Sequence, residues 1–118
     1  MFNINKIAQA IMGFEGYFEG SVSFRNHNPG NLKYLKQPGT IGKDDLGFAV
    51  FDTFESGYRA LYKLISGWYK GTNNDTYHPD MTIYEVFQRY STTDSKPYAE
   101  YVAKQIGVAP TTKLRDIV

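Results

Sequence analysis

At positions 25–32 the chain reads Arg25-Asn26-His27-Asn28-Pro29-Gly30-Asn31-Leu32. The Asn-Pro-Gly-Asn part predicts a tight turn, because proline presets a negative φ and glycine accepts a positive one. The side chains of Asn28 and Asn31 can brace this turn through hydrogen bonds, or they can present amide donors and acceptors to a ligand. A turn that satisfies its own hydrogen bonds is common, so this stretch alone does not indicate a binding site.

A helix is predicted on the N-terminal side of the turn. Asn3 or Asn5 can cap its start, and Gly16 is typical of a left-handed cap at its end. Its apolar face, spaced i, i+3, i+4, i+7, consists of Ile4, Ile7, Ala8 and Ile11.

Glu15 falls on the same face when the helical period is continued. Partial burial and the negative end of the helix dipole both disfavour a charged carboxylate, so both are expected to raise its pKa toward the range of a general acid. If the helix has already ended, Glu15 points to water and has no such role. The helix alone leaves both alternatives open.

Downstream of the turn, the sequence predicts a small sheet followed by helices. Residues 32–36 and 48–51 are expected to be antiparallel strands, joined by a long loop. Further elements are predicted from capping and breaker residues: helices after Asp52-x-x-Glu55, after Thr82-x-x-Glu85 and from Pro97 to Gly107, a surface loop at 71–80, and a helical turn or fraying tail from Thr112. This order indicates an α+β fold, which we expect to be a single domain over residues 1–118.

Composition excludes several classes of function. Lys and Arg number 13 and Asp and Glu 12, and the resulting net charge of +1 disfavours a nucleic-acid partner. Cysteine is absent, and His27 and His78 lack a second ligand at metal spacing, so neither a metal site nor a cofactor is expected. The sequence contains no apolar run long enough for membrane insertion, and residues 1–12 do not have the pattern of a secretory signal.

Three stretches carry a resemblance to a known family: Phe14-Glu15-Gly16, Arg25 to Tyr34, and Gly47 to Leu61. Their order resembles the lysozyme-like superfamily of peptidoglycan-cleaving enzymes. Within it, the chain is similar to phage lysins and virion-associated muralytic domains with an Arg-Asn-x-Asn-Pro-Gly-Asn-Leu motif. It is more loosely similar to the glucosaminidase and lytic transglycosylase branches.

The resemblance, which covers residues 7–106, implies a lysozyme-like fold with a mainly helical lobe and a small antiparallel β-sheet lobe. It implies a glycosidase that cuts β-1,4 bonds of the peptidoglycan glycan strand. It also implies a phage-encoded protein that acts at the bacterial cell wall, which we expect to be a monomer.

The resemblance implies that Glu15 is the catalytic acid. Candidates for a second carboxylate are Asp44 and Asp45, just before the second predicted strand, and Glu19 in the loop after the helix. A retaining hydrolase needs the two carboxyl groups about 5–5.5 Å apart, and an inverting one about 6.5–9.5 Å. The alternative for Asp44 and Asp45 is a solvated turn, and a lytic transglycosylase needs no second carboxylate.

Substrate contacts are expected first from Asn31 and Tyr34, by analogy with the family. Tyr98 and Tyr101, one helical turn apart, are a second pair, for which simple core packing is the alternative. Arg25 can bind a carboxylate of the peptide or lactyl group, or pair with a nearby acid. A second hypothesis for the whole chain is a lysozyme-like module that grips cell wall, or is structural in a virion, without cutting. A third, a single-strand nucleic-acid binder rich in aromatic residues, is disfavoured by the nearly neutral charge.

Overall fold

The structure, a computed structural model, describes residues 3–71 and 76–118. Over these ranges it is an α+β fold with five α-helices and one small two-stranded antiparallel sheet. In chain order the elements are α1 (Ile4–Phe14), α2 (Val22–Arg25), β1 (Thr40–Lys43), β2 (Ala49–Phe51), α3 (Phe54–Lys70), α4 (Ile83–Tyr90), α5 (Ser95–Ile106) and a 3₁₀ turn at Leu114–Asp116. Within the described ranges, none of the helices combines the length and apolar character needed to cross a bilayer.

Backbone proximity divides the chain into two units. Residues Ile11–Leu64 form one, called here the sheet unit, and residues Met1–Ala10 with Ile65–Val118 form the other, called the helical unit.

The sheet unit contains the hairpin of β1 and β2. Thr40 pairs with Phe51 and Lys43 with Ala49, and a bulge between Thr40 and Gly42 shifts the register. Ala49 and Phe51 are fully buried, so one face of β2 lies in the core of this unit. The predicted strand at 48–51 is therefore confirmed.

The other predicted strand, at 32–36, is only partly formed. Lys33 makes an antiparallel bridge with Phe48. Beside it, the Ala49 N–H donates to the Leu32 carbonyl and the Tyr34 N–H to the Gly47 carbonyl, each at 2.9 Å. The strand that pairs with β2 is β1, inside the predicted loop. The reason is local: Asn31 and Lys36 have left-handed φ values of 49° and 56°, which end the extended conformation on both sides.

The C-terminal end of α1 confirms the predicted cap. Gly16 has a φ of +71°, and the N–H groups of Gly16 and Tyr17 donate to the carbonyls of Gly13 and Met12 at 3.2 and 3.1 Å. This is the Schellman pattern of a glycine-terminated helix. The predicted apolar face is confirmed at its centre, since Ile7, Ala8 and Ile11 are buried.

One helix departs from expectation. The short α2 was not predicted; it forms because the Ser21 hydroxyl caps it by accepting the Phe24 N–H at 3.2 Å. The predicted helix after Asp52 is confirmed as α3, along which Leu61 is buried and Tyr62 is 40% exposed.

In the helical unit, α4 packs against α5. Thr82 and Glu85 form the predicted capping box of α4, and α5 ends at Gly107, whose φ is +79°. Of the two alternatives for the segment from Thr112, the helical turn is confirmed by the 3₁₀ turn at Leu114–Asp116. The segment does not fray, because Leu114 and Ile117 are buried and the Asn3 N–H donates to the Ile117 carbonyl at 3.0 Å. Of the predicted loop at 71–80, residues 72–75 lie outside the described residues.

Candidate functional site

Glu15 lies directly after the last residue of α1, in the sheet unit. Its N–H still donates to the Ile11 carbonyl at 2.9 Å, so its backbone continues the helical hydrogen bonding by one residue. Its side chain is half-buried. The position therefore has features of both alternatives for Glu15. The helix has ended, but the Glu15 side chain is not fully exposed to water.

The backbone that leaves Glu15 is held by α2. The buried Ser23 donates from its hydroxyl to the Gly16 carbonyl at 3.4 Å, and the Ser21 hydroxyl accepts the Phe18 N–H at 3.3 Å. Arg25, the last residue of α2, is exposed. These bonds place the helix that carries Arg25 beside the end of α1.

Asn28 braces the turn at 28–31. Its side chain is fully buried, and its Nδ2 donates to the carbonyls of Leu32 and Ala49, each at 2.9 Å. Its Oδ1 accepts the Leu32 N–H, also at 2.9 Å. Of the two alternatives stated for Asn28, the structure shows the bracing role, which joins the turn to β2.

The same turn lies in backbone contact with α3. A Cβ atom built on Gly57 would lie 2.0 Å from the His27 carbonyl oxygen, and one built on Gly30 would lie 2.9 Å from Leu61 Cδ1. Only glycine permits these approaches. The turn is consequently clamped between the hairpin and α3.

Asn31 differs from Asn28. It has a left-handed φ of 49°, and its Oδ1 is buried with no hydrogen-bond partner among the described residues. A buried carbonyl oxygen without a donor is unfavourable, so the turn carries an unsatisfied acceptor at this atom. Tyr34, three residues on, is half-buried and donates its N–H to the Gly47 carbonyl at 2.9 Å.

Asp44 holds the turn between β1 and β2. Its Oδ1 accepts the N–H groups of Leu46 and Phe48 at 2.9 Å, and its Oδ2 accepts the Asn26 amide at 3.0 Å. Desolvation alone would raise the pKa of Asp44, but these hydrogen bonds favour the charged form and together lower its pKa below the usual value. Both oxygens are thus engaged in bracing, which leaves the exposed Asp45 and Glu19 as candidates for a second carboxylate.

An aromatic row that the sequence did not predict begins two residues after Glu15. The rings of Phe24, Tyr17, Phe54 and Tyr58 follow one another at centroid separations of 5.2, 5.4 and 5.8 Å. The abundance of tyrosine and phenylalanine was a signal for such a feature, but Tyr17 and Phe24 lie where no helical or strand period groups them.

Tyr98 and Tyr101 belong to the helical unit. Tyr98 is 2% exposed, and its ring stacks on Phe87 at 4.5 Å. Core packing, the alternative stated for this pair, is therefore the role of Tyr98, while Tyr101 is half-buried on α5.

The sheet unit thus contains Glu15, Arg25, Asn31, Tyr34 and both aspartates, but neither of these two tyrosines. A half-buried acidic side chain and partly exposed aromatic residues suit an uncharged, hydroxyl-rich ligand and a proton transfer. Compared with known proteins, the chain matches no protein-family model, no curated protein and no solved structure.

Proposed function

We propose that this chain is a lysozyme-like glycosidase that cleaves β-1,4 bonds of the peptidoglycan glycan strand, with Glu15 as general acid. The observation that supports this most is the position of Glu15, half-buried at the capped end of α1 and held through Gly16 to α2. The braced 28–31 turn and the hairpin then follow in the order that the resemblance implies.

In the proposed reaction, the protonated Glu15 carboxyl donates its proton to the glycosidic oxygen as the bond from C1 to that oxygen breaks. The leaving sugar departs with a new hydroxyl group, and positive charge develops at C1. In a hydrolase, water adds to C1 and gives its proton to a carboxylate. In a lytic transglycosylase, the 6-hydroxyl of the same sugar adds to C1 and Glu15 takes up its proton, which leaves a 1,6-anhydro end.

The bonding of Asp44 bears on this choice. Because its Oδ1 accepts hydrogen bonds from the turn and its Oδ2 accepts one from Asn26, Asp44 is better suited to bracing than to catalysis. The mechanism then uses either Glu15 alone or Glu15 with one of the exposed acids, Asp45 and Glu19. We favour Glu15 alone, because among the described residues no side-chain hydrogen bond fixes the carboxylate of Asp45 or Glu19.

The test is mass spectrometry of soluble products from purified peptidoglycan. The wild-type chain is expected to release glycan fragments, and Glu15→Gln is expected to release none while unfolding at the wild-type temperature. Glu100→Gln, which removes an exposed carboxyl group on α5, is the matched control and should leave product release unchanged. Release of fragments by Glu15→Gln at a near wild-type rate would refute the assignment.

The ends of the products distinguish the mechanisms. Anhydro ends support Glu15 alone, whereas reducing ends make Asp45→Asn and Glu19→Gln the next variants. If the wild type binds peptidoglycan but releases no fragments, the hypothesis of a non-catalytic wall-binding module replaces that of an enzyme. A phage origin and action at the bacterial cell wall are part of the same proposal.

A further inference from the structure

The aromatic row of Phe24, Tyr17, Phe54 and Tyr58 starts close along the chain to the proposed catalytic residue. Tyr17 follows Glu15 by two residues, and its N–H is bonded to the Met12 carbonyl in the cap of α1. The backbone from which the Tyr17 ring projects is therefore fixed to the same helix end as Glu15.

The row is also ordered before any ligand arrives. Phe54 and Tyr58 lie one turn apart on α3, where side chains at i and i+4 share a face. Tyr17 contacts Phe54 on one side and Phe24 on the other, with ring planes tilted by 50° and 45°. Because the rings restrain one another, a ligand bound to them loses little free energy in ordering side chains.

Exposure and charge define the chemistry that the row can accept. The Phe24 side chain is 39% exposed, and the other three are half-buried, so part of each ring is accessible. Desolvation raises the pKa of Tyr17, with a further contribution from the charge of Glu55, and desolvation likewise raises that of Tyr58. Both hydroxyl groups consequently stay neutral well above neutral pH and can donate hydrogen bonds.

A surface of aromatic faces and hydroxyl groups is complementary to a pyranose ring, which has apolar C–H faces and a polar rim. It is a poor match for a nucleic acid strand, because a groove that follows phosphates needs a cluster of cations and the chain carries a net charge of only +1.

Resting on the proposed function, we propose that the aromatic row is a glycan-binding subsite that takes the apolar faces of N-acetylated pyranose rings next to Glu15. The row thereby sets the register of the glycan strand relative to the carboxyl group. Phe24 forms its most exposed end, and Phe54 lies in its middle.

Binding is measured in the Glu15→Gln background, so that no ligand is cut. The probes are a soluble β-1,4-linked oligomer of N-acetylglucosamine, followed by calorimetric titration, and purified insoluble peptidoglycan, followed by co-sedimentation. Phe24→Ala and Phe54→Ala are each expected to weaken binding about tenfold. Phe24→Tyr and Phe54→Tyr keep a ring and are expected to bind within about twofold of the parent.

Leu35→Ala is the matched control, since it removes an apolar side chain that is 78% exposed in the same unit and outside the row. Thermal unfolding is recorded for every variant, and Phe24→Ala, at the exposed end, keeps the test decisive if Phe54→Ala fails to fold. Alanine variants that bind both probes as tightly as the parent would overturn the subsite, and so would a parent that binds neither probe.

The subsite and the proposed function can fail separately. If the alanine variants bind as tightly as the parent while the wild-type chain still releases fragments, the subsite is refuted and the proposed enzyme activity stands. If the same variants bind more weakly while the wild type releases no fragments, the subsite is supported and the proposed enzyme activity is refuted.

Discussion

Replacing Asn28 with alanine tests whether one buried amide holds the central turn in place. The substitution removes three hydrogen bonds of 2.9 Å, two donated to the carbonyls of Leu32 and Ala49 and one accepted from the Leu32 N–H. The Leu32 carbonyl keeps a second donor, the Ala49 N–H at 2.9 Å, but no such bond replaces the acceptor of the Leu32 N–H.

The expected loss follows from these bonds. Each buried hydrogen bond contributes about 1 kcal/mol net, and an N–H left unpaired in the interior costs about 1–3 kcal/mol. We therefore expect Asn28→Ala to lower the free energy of unfolding by about 3–5 kcal/mol, a large share of the roughly 5–15 kcal/mol of a small domain. The corresponding fall in Tm is roughly 10–25 °C.

The assay is equilibrium unfolding in urea with circular dichroism, together with a thermal scan. Asn31→Gly is the matched control, because it removes an amide from the same turn whose Oδ1 has no partner among the described residues and keeps a positive φ accessible. It is expected to change stability by less than about 1 kcal/mol. A loss below about 1 kcal/mol for Asn28→Ala would refute the bracing role.

Asn28→Asp extends the test. It keeps the acceptor for the Leu32 N–H but faces two carbonyl oxygens with a buried carboxyl group, so the charged form is disfavoured and its folded-state pKa is raised. The variant should be at least as unstable as Asn28→Ala at neutral pH. It should regain stability as the pH falls through its raised folded-state pKa toward the ordinary range of an aspartate, because protonation restores one donor. Stability independent of pH in this variant, relative to wild type, would contradict the assigned geometry.

Three further perturbations test the fold around the site. Gly57→Ala places a Cβ 2.0 Å from the His27 carbonyl oxygen and should lower the free energy of unfolding by about 3 kcal/mol or prevent folding; a Tm within a few degrees of wild type would contradict the clamp. Asp44 has a lowered pKa, so its stabilising contribution is present above the ordinary aspartate pKa and lost as the pH falls through the lower folded-state value. Asp44→Asn should therefore lower the Tm at pH 7 more than at pH 3, and equal losses at both would count against the bonding described. Thr82→Ala removes the acceptor for the Glu85 N–H at 3.2 Å and should cost about 1 kcal/mol in urea unfolding, which Thr82→Ser should largely restore.

The features that local sequence predicts well are those decided by neighbouring residues. The apolar face of α1, the glycine at its end and the capping box of Thr82 and Glu85 each depend on groups within five residues, and the structure confirms them. The α+β order of elements follows from the same patterns. Glu15 as the candidate acid also comes from local reasoning, since its distance from the helix end is set along the chain.

The strand at 32–36 shows where such reasoning stops. Its residues have an extended pattern, but left-handed conformations at Asn31 and Lys36 end it on both sides, so that it makes one bridge while β1 pairs along β2. Which of two segments pairs with a strand depends on the geometry of the turn between them. That turn is held by Asp44, whose bond to Asn26 joins residues 18 positions apart.

What the sequence by itself determined is therefore the four longer helices, the glycine cap of α1, the capping box of α4 and the short list of polar residues around Glu15, because these rest on periodicity and local hydrogen bonds. Only the tertiary structure decided which role each of those residues has. It shows that Asn28 and Asp44 brace while the Asn31 oxygen lacks a partner among the described residues, and that Tyr17, Phe24, Phe54 and Tyr58 form one row. A hydrogen-bond partner or a ring neighbour drawn from a distant part of the chain is set by packing, and packing has no local signature.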